Sequence, residues 1–376
     1  MSVDERIQQY LQQRKENCLY RQLTVNHNLI DFSSNDYLGL SRSAFIKQQV
    51  ENDLKKYSFY KSGATGSRLL NGNSELYEEM ETMLANTHHA EAALLFNSGF
   101  DANVGLISTI VRPNDTIFYD ELVHASIHQG MQLSGAKLIA FKHNDMQELE
   151  NLLQNIVYDI AFIITESIFS MEGDMADLQK LADLTTKYDV ELIIDEAHAT
   201  GLFGSNGSGL CNVAKIEEKC FARVYTFGKA IGSHGAVVVG SQKLKEYLIN
   251  FSKNFIYSTA LETHNLLSVK HTYLYLQNYV NQRLNINNLN EHFILRSKSI
   301  NSKFKISGEG PIFGIIVGGN QNTKDLATYL QINGFDIRAI LSPTVPKSTE
   351  RLRVIMHSFN KTEEIDQLFD LIVDYQ

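Results

Sequence analysis

The 376-residue sequence predicts an α/β protein, with a mainly parallel sheet in a large domain and a smaller α+β domain at the C-terminal end. Two observations predict this class. From about residue 75, short apolar runs alternate with helical stretches, which is typical of βαβ units and of strands covered on both faces. After about residue 245, the alternation gives way to a long helical stretch and a few shorter strands.

Composition excludes several classes of protein. The formal charge of −9 disfavours nucleic acid or an anionic membrane surface as the main partner. No run of about 18 apolar residues occurs, so no membrane span is predicted. The N-terminal stretch lacks the apolar core of a signal peptide, and the three cysteines form no CxxC pair. We therefore expect a reducing, cytoplasmic location.

The first 40 residues are predicted to form an N-terminal arm. Apolar side chains in residues 3–20 have helical spacing, and a short strand is expected at 29–34, before the turn residues of NDYLGL (35–40). Residues 1–68 hold ten basic and seven acidic residues, a net charge of +3 on an acidic chain. This excess is either a chance solvated surface or a landing site for an anionic ligand.

Residues 41–270 are assigned to the large α/β domain. Each of its predicted strands is a short run of apolar, β-favouring residues. The runs are AALLF (92–96), TIFYD (116–120), KLIAF (137–141), IAFIIT (160–165), VELIID (190–195), RVYTF (223–227) and GAVVVG (235–240).

Residues 271–376 are assigned to the small α+β domain. A helical stretch with few breakers, residues 263–303, leads into it. Its strands are predicted at 311–319, 335–340 and 352–357, and its later helices at 323–334 and 361–375.

Polar segments follow five of the predicted strands. Ligands of parallel α/β sheets bind beyond the C-terminal ends of the strands, so these segments are where a site is expected. They read NSGFDAN, ELVHASIH, ESIFSMEGD, EAHATGLFG and GKAIGSHG. Because these ends meet at one edge of the sheet, the sequence predicts a single site there.

Several familiar sites do not match. The sequence has no GxxxxGK[ST] loop, no GxGxxG after the first strand, no HExxH and no GxSxG. His88 and His89 are adjacent on a predicted helix, so they cannot chelate from one face, and we expect both to be exposed. The sequence therefore predicts no metal site.

Lys229 and Asp195 together indicate the chemistry. Lys229 lies between Gly228 and Ala230 directly after a strand, where a bulky group can approach and a neutral amine can form a Schiff base. Asp195 ends an apolar strand, where a carboxylate is costly unless it faces a cation such as a pyridinium nitrogen. That pairing is typical of enzymes that use pyridoxal phosphate (PLP). Taken singly, each residue has a bland alternative, a surface lysine or a helix-capping aspartate.

The order of motifs resembles the α-oxoamine synthases, a family of PLP-dependent enzymes of fold type I. The resemblance runs from about residue 3 to the C-terminus without a large insertion. It implies the PLP-dependent transferase fold of type I and PLP as a Schiff base on Lys229. It is carried by SSNDYLGL (33–40), SGATGSRLLNG (62–72), FNSGFDANVG (96–105), HASIHQG (124–130), TESIFSMEGD (165–174), IDEAHATGLFG (194–204), TFGKAIGSHGA (226–236), YSTAL (257–261), PTVP (343–346) and RLR (351–353).

The resemblance implies catalytic roles for three residues. Lys229 would hold PLP and move the α-proton, Asp195 would keep the ring nitrogen protonated, and His124 would stack on the ring and orient the substrate. The other implied cofactor-binding residues are Gly99 and Phe100 at the phosphate, His198 at the phenolic oxygen, Ser170, Thr226, and Ser258 and Thr259, the last two reaching the phosphate from the other subunit of a homodimer.

The resemblance also implies substrates. Arg353 would grip the carboxylate of the amino acid, and Arg21, Asn35 and Thr344 match other substrate-contacting positions. The motifs are most similar to the branch that condenses L-alanine with a pimeloyl thioester in biotin biosynthesis, giving 8-amino-7-oxononanoate, CO2 and a thiol of coenzyme A or an acyl carrier protein. Sister reactions that use glycine or serine stay open. A non-catalytic relative is disfavoured because the three catalytic residues are present.

Three positions depart from the expected pattern. Tyr77 stands where the family often has histidine. Leu341 stands before SPTVP, where several members of the biotin pathway carry a basic residue. Arg68 is shared with sister enzymes that use glycine or serine. These departures leave the choice of substrate less defined than the chemistry.

Overall fold

A computed structural model describes residues 1–25, 28–56, 61–278 and 281–375 of the chain. The helices, numbered in chain order, are α1 (Val3–Glu16), α2 (Ala44–Leu54), α3 (Glu75–Thr87), α4 (Gly99–Ile110), α5 (Ala125–Ser134), α6 (Met146–Asn155), α7 (Leu178–Tyr188), α8 (Leu210–Ala214), α9 (Gln242–Phe251), α10 (Lys253–Ile256), α11 (Thr263–Asn278), α12 (Asn281–Ser297), α13 (Asn320–Ile332) and α14 (Thr362–Asp374).

The strands follow the predicted apolar runs to within one or two residues in most cases. This agreement arises because each run is bounded by polar or glycine residues that end the pairing. The strands are β1 (Ile30–Asp31), β2 (Ala92–Phe96), β3 (Thr116–Asp120), β4 (Lys137–Phe141), β5 (Ala161–Glu166), β6 (Glu191–Asp195), β7 (Ala222–Thr226), β8 (Ala236–Gly240), β9 (Lys305–Ser307), β10 (Ile312–Ile316), β11 (Phe335–Asp336), β12 (Arg338–Ile340) and β13 (Arg351–Ile355).

The chain divides into two compact units. The large unit comprises residues 35–170 and 175–283, and the small unit comprises residues 1–34, 171–174 and 284–376. Residues 1–34 belong with the C-terminal part because β1 pairs in parallel with β11. The arm predicted for residues 1–40 and the domains predicted for 41–270 and 271–376 stay predictions.

The large unit, as far as the structure describes it, contains a seven-stranded sheet in the order β2-β8-β7-β6-β5-β3-β4. Neighbours from β4 to β7 pair in parallel, whereas β8 runs antiparallel to both β7 and β2. The predicted α/β class with a mainly parallel sheet is confirmed. Since β3, β5, β6 and β7 run in one direction, the residues that follow them emerge at one edge.

Burial explains the near-continuous apolar runs. The strands β2, β5 and β7 are buried along their whole length, which requires apolar side chains on both faces. Strand β4 is one of the two edge strands of the sheet, and four of its five residues are exposed or half-buried, beginning with Lys137. A charged residue on an edge strand disfavours pairing with another chain.

The small unit has its own sheet and core. In its described part, β12, β13, β10 and β9 form an antiparallel sheet in that order. The rings of Phe293 on α12 and Phe313 on β10 stack with centroids 4.2 Å apart. The predicted helical stretch 263–303 corresponds to α11 and α12. No helix of the described ranges has the length and apolar composition needed to cross a membrane.

The expectation that His88 is exposed is wrong. Helix α3 ends at Thr87, and His89 has a φ of +48°, so the chain turns and the two imidazoles part. The His88 ring is fully buried and stacks on Tyr225 with centroids 3.7 Å apart. Its Nε2 lies 2.9 Å from Tyr273 Oη, and its Nδ1 lies 3.1 Å from the carbonyl oxygen of Ser208.

Burial lowers the pKa of His88 to about 3, and this predicts a pH-dependent stability. In the unfolded chain His88 takes up a proton near pH 6.5, whereas the folded chain resists protonation down to about pH 3. The stabilisation is complete above pH 6.5 and is lost as pH falls toward 3, by at most about 1.4 kcal/mol per pH unit. His88→Gln should therefore flatten the decline of Tm between pH 7 and pH 5.

An exposed histidine elsewhere in the chain offers the control. His264→Gln should leave the pH profile of Tm parallel to that of the original protein, because its side chain is exposed. Parallel pH profiles of Tm for His88→Gln and the original protein would contradict the assignment of this pH dependence to His88.

Gly173 predicts a second effect on stability. Its φ is +75°, and an added Cβ would lie 2.2 Å from the carbonyl oxygen of Ile312. Gly318 has a φ of +80°, but the nearest atom to an added Cβ is 3.7 Å away. Gly173→Ala should reduce the free energy of unfolding by about 1–3 kcal/mol more than Gly318→Ala, measured by urea denaturation. Equal losses would mean that the backbone conformation, and not the close contact, sets the cost.

Candidate active site

A cavity of about 290 Å³ lies among the segments that follow the strands of the large unit. Its walls come from residues at or just after the ends of β2, β3, β5, β6 and β7, together with Asn35, so the predicted convergence of strand ends is found. The predicted site residues that line it are Asn35, Gly99, Phe100, His124, Asp195, His198, Thr226 and Lys229.

Lys229 begins a hydrogen-bonded relay. Its Nζ lies 2.8 Å from His198 Nε2, and His198 Nδ1 lies 2.7 Å from the hydroxyl of the fully buried Tyr37. The Tyr37 hydroxyl in turn donates to Asn35 Oδ1 at 3.4 Å. An ammonium group has donors and no acceptor, so Nε2 accepts from Lys229 and the imidazole proton is on Nδ1.

Asp195 anchors a second network. The side chain is buried, and its two oxygens accept from Asn103 Nδ2 at 2.7 Å and from the backbone N–H of Ala197 at 2.8 Å. Asn103 Nδ2 also donates to Ser126 Oγ at 3.0 Å, and that hydroxyl lies 2.8 Å from His124 Nδ1. In the part of the chain that the structure describes, no basic side chain forms an ion pair with Asp195.

The second network determines which ring nitrogen of His124 carries the proton. The backbone N–H of Ser126 also donates to His124 Nδ1, so this nitrogen is an acceptor and the ring proton is on Nε2. Burial lowers the pKa of His124, an effect that Asp195 opposes and Lys229 reinforces. His124 is therefore a neutral aromatic ring at pH 7.

Gly99 and Phe100 begin helix α4 at the cavity. Ser98 caps this helix, its hydroxyl accepting from the backbone N–H of Asp101 at 3.0 Å. The first N–H groups of a helix have no partner within the helix and favour an anion such as phosphate. A Cβ on Gly99 would lie 2.4 Å from Thr226 Cγ2, so only glycine fits beside Thr226.

Three predicted cofactor-binding residues lie outside this cavity lining. Ser170 follows β5 but is not among the lining residues. Ser258 and Thr259 line a separate, small cavity together with Asn97, whose amide donates to the carbonyl oxygen of Thr259 at 2.6 Å.

The predicted substrate residues divide between the units. Asn35 lines the large-unit cavity, as described above. Arg21 and Thr344 belong to the small unit, where both line a cavity of about 380 Å³. Arg353 lies on β13 of the small unit and is buried between Gly314 on β10 and Arg338 on β12.

Three residues that hydrogen-bond to the predicted site residues, Tyr37, Asn103 and Ser126, were not predicted from the sequence. Tyr37 is inside the quoted NDYLGL segment, and Asn103 and Ser126 each lie a few residues into a helix that follows a strand. A buried tyrosine and a helical asparagine are ordinary core features when taken alone. His234 also lines the cavity and was not singled out.

These residues fit PLP. A buried carboxylate without a basic partner in the described chain suits a pyridinium nitrogen, and a neutral imidazole suits stacking on an aromatic ring. The glycine at a helix N-terminus suits the phosphate. Within the described residues, no group of His, Cys, Asp and Glu side chains is placed to hold a metal ion. Fold and site therefore define a PLP-dependent enzyme of fold type I.

Comparison with known proteins supports and narrows this class. Residues 27–372 match the family model of aminotransferase class I and II. The 8-amino-7-oxononanoate synthase of Emericella nidulans is 38% identical, with 98% of this chain and 95% of that protein covered. The chain belongs to the α-oxoamine synthases, PLP-dependent acyltransferases, in the branch of the 8-amino-7-oxononanoate synthases. The predicted family, enzyme class and cofactor are confirmed.

Solved structures of related proteins have the same fold. The 8-amino-7-oxononanoate synthase of Francisella tularensis has a TM-score of 0.77 and 31% identity, with 93% of this chain and 98% of that chain covered. A structure of SPT with a PLP internal aldimine has a TM-score of 0.90 over 99% of this chain and 98% of that chain. Its identity of 21% shows the shared fold alone.

The relay predicts how the cofactor-free protein captures PLP. Tyr37→Phe removes the acceptor for His198 Nδ1–H, so the imidazole moves its proton to Nε2 and no longer accepts from the Lys229 ammonium. The neutral amine, which attacks the aldehyde of PLP, then forms at lower pH. The pH midpoint of the PLP capture rate, followed by absorbance, should therefore fall.

Tyr158→Phe is the matched control, because it also removes a tyrosine hydroxyl, one that donates to the carbonyl oxygen of Tyr188 at 3.1 Å. It should leave the midpoint where it is. A midpoint that is the same in Tyr37→Phe and the original protein would remove Tyr37 from the relay.

Proposed function

We propose that this protein condenses L-alanine with a pimeloyl thioester, releasing CO2 and the free thiol and forming 8-amino-7-oxononanoate. The observation that carries the proposal is the cavity in which Lys229 and the buried Asp195 meet, in a chain 38% identical to 8-amino-7-oxononanoate synthases over most of its length. When bound, PLP supplies an electron sink for the carbanion that attacks the thioester.

The chain's own residues would control the protons. Asp195 would hold a proton on the ring nitrogen, since the buried carboxylate is stabilised by a cation beside it. Lys229 Nζ would bind the cofactor and then remove and return the α-proton. Tyr37 can also donate to His198 Nδ1, which would leave a proton on Nε2 for the phenolic oxygen of PLP. His124, a neutral ring, would stack on the cofactor and orient the substrate.

The phosphate would be bound at the start of α4 by the N–H groups of Gly99 and Phe100, with Ser170 and Thr226 as further ligands. We assign Ser258 and Thr259 to the phosphate of a second copy of the chain, which makes the active form a homodimer. Their separation from the lining of the large cavity supports this assignment.

Arg353 would bind the carboxylate of the amino acid through its planar guanidinium. Asn35 would contact the amino acid, and Arg21 and Thr344 would contact the acyl substrate. The acyl carrier would be coenzyme A or an acyl carrier protein. The three cysteines are all free thiols, which supports the proposed cytoplasmic location.

The sister reactions with glycine or serine have less support. Arg68, the residue shared with those enzymes, is buried and paired with Glu81 at 2.5 Å. Its guanidinium also lies over the ring of Tyr77, 4.0 Å from the centroid. Arg68 therefore has a structural role in this chain, and its presence does not favour glycine or serine as substrate.

A substrate screen tests the proposal. Purified PLP-loaded protein is given L-alanine, glycine or L-serine, each with acetyl, pimeloyl or palmitoyl coenzyme A, and release of free thiol is followed. We expect turnover with alanine and the pimeloyl thioester. Turnover with glycine and acetyl coenzyme A, and none with the pimeloyl thioester, would overturn it.

Lys229→Ala tests the catalytic lysine. Removing the amine should abolish both the visible absorption of lysine-bound PLP and thiol release, because Schiff-base formation and proton transfer depend on the same nitrogen. Lys253→Ala, at the start of α10, is a control that keeps both. Turnover that survives in Lys229→Ala would exclude Lys229 from the reaction.

A further inference from the structure

The small-unit cavity of about 380 Å³ combines apolar walls with a cluster of cations. Leu19, Ile340, Leu341 and Pro343 supply apolar surface, and Arg14, Arg21 and Lys324 supply positive charge. No acidic residue is among its lining residues. This combination suits a ligand with an aliphatic body and an anionic end.

The three cations are not neutralised within the described chain. Among residues 1–25, 28–56, 61–278 and 281–375, none of Arg14, Arg21 and Lys324 forms an ion pair. Some other basic side chains of the same unit are paired, as Arg296 is with Asp366 and Asp370. Like charges around one cavity repel one another, and a bound anion would relieve that repulsion.

We propose, on the basis of the proposed function, that Lys324 binds the terminal carboxylate of the dicarboxylic acyl chain and so determines its selection. Lys324 is half-buried on α13, and the neighbouring Leu326, Ala327 and Leu330 pack into the small-unit core. Its backbone is therefore held in place. Arg14, by contrast, lies on α1, which has no buried residue.

The proposal accounts for the departure at Leu341. Several related chains carry a basic residue at that position, and here Leu341 lines the same cavity as Lys324. Both side chains face one cavity, so a cation on α13 can take the place of a cation before Ser342. A positive charge is therefore present at the cavity in both cases, although it comes from a different position in the sequence.

The anion could be the acyl carboxylate or a phosphate of coenzyme A. The apolar walls favour the carboxylate, because a methylene chain would be buried against them. The experiment separates the two by using pimeloyl and heptanoyl thioesters, which differ in the terminal carboxylate, each carried by coenzyme A or by N-acetylcysteamine, which has no phosphate.

The variant is Lys324→Leu, and the measured quantity is KM for each thioester with L-alanine. KM for both pimeloyl thioesters should rise about tenfold or more, while KM for heptanoyl coenzyme A stays constant. The double variant Lys324→Leu, Leu341→Arg should recover at least part of the loss. Lys298→Leu, an exposed lysine of the same unit, is the matched control.

The outcomes separate the hypotheses. Suppose that KM rises equally for pimeloyl and heptanoyl coenzyme A and does not rise for the N-acetylcysteamine thioesters. That result would assign Lys324 to a phosphate of coenzyme A and overturn the proposal. An unchanged KM for the pimeloyl thioesters, with normal turnover in the original protein, would overturn it as well. No pimeloyl turnover in the original protein would instead overturn the proposed function.

Discussion

The carboxylate of Asp195, buried at the end of an apolar parallel strand, is the constraint on which the site depends. An ionised carboxylate in such a place must have its oxygens satisfied. One accepts from the next turn of chain, at Ala197, and the other from Asn103 on α4. Through Asn103 and Ser126 the same carboxylate is linked by hydrogen bonds to His124, at the start of α5, and burial keeps that ring neutral. One charge is thus linked to both the helix whose N-terminus is proposed to bind phosphate and the ring that is proposed to stack on the cofactor.

A second buried carboxylate explains two departures from the family pattern. Glu81 accepts from Arg68, from Lys245 at 2.8 Å and from the backbone N–H of Leu95 at 3.0 Å. The Arg68 guanidinium covers the Tyr77 ring, and the Tyr77 hydroxyl donates to the carbonyl oxygen of Leu261 at 3.1 Å. Tyrosine at position 77 is therefore accommodated by these contacts, and Arg68 is paired with the carboxylate that links α3 to strand β2.

The two units divide the chemical work. The residues proposed to handle protons, Lys229, His198 and Asp195, all belong to the large unit, at strand ends or just after them, as preorganised catalysis requires. In the small unit, Arg14 and Arg21 lie at one cavity together with Lys324. Selection of the acyl chain can then change through residues such as Lys324 and Leu341 without disturbing the catalytic network.

The sequence by itself determined the fold class, the strand positions and the presence of Lys229 and Asp195 at one site. These depend on local apolar runs and on residue types at strand ends, which are written in short segments. Tertiary structure decided which polar residues act together, because Tyr37 and His198, or Asn103 and Asp195, are far apart in the chain and meet only through packing. It also decided the burial of His88, the pairing of Arg68 and the shared cavity of Lys324 and Leu341. Periodicity describes which face of an element is buried, but the partner of a charge is fixed by long-range contacts.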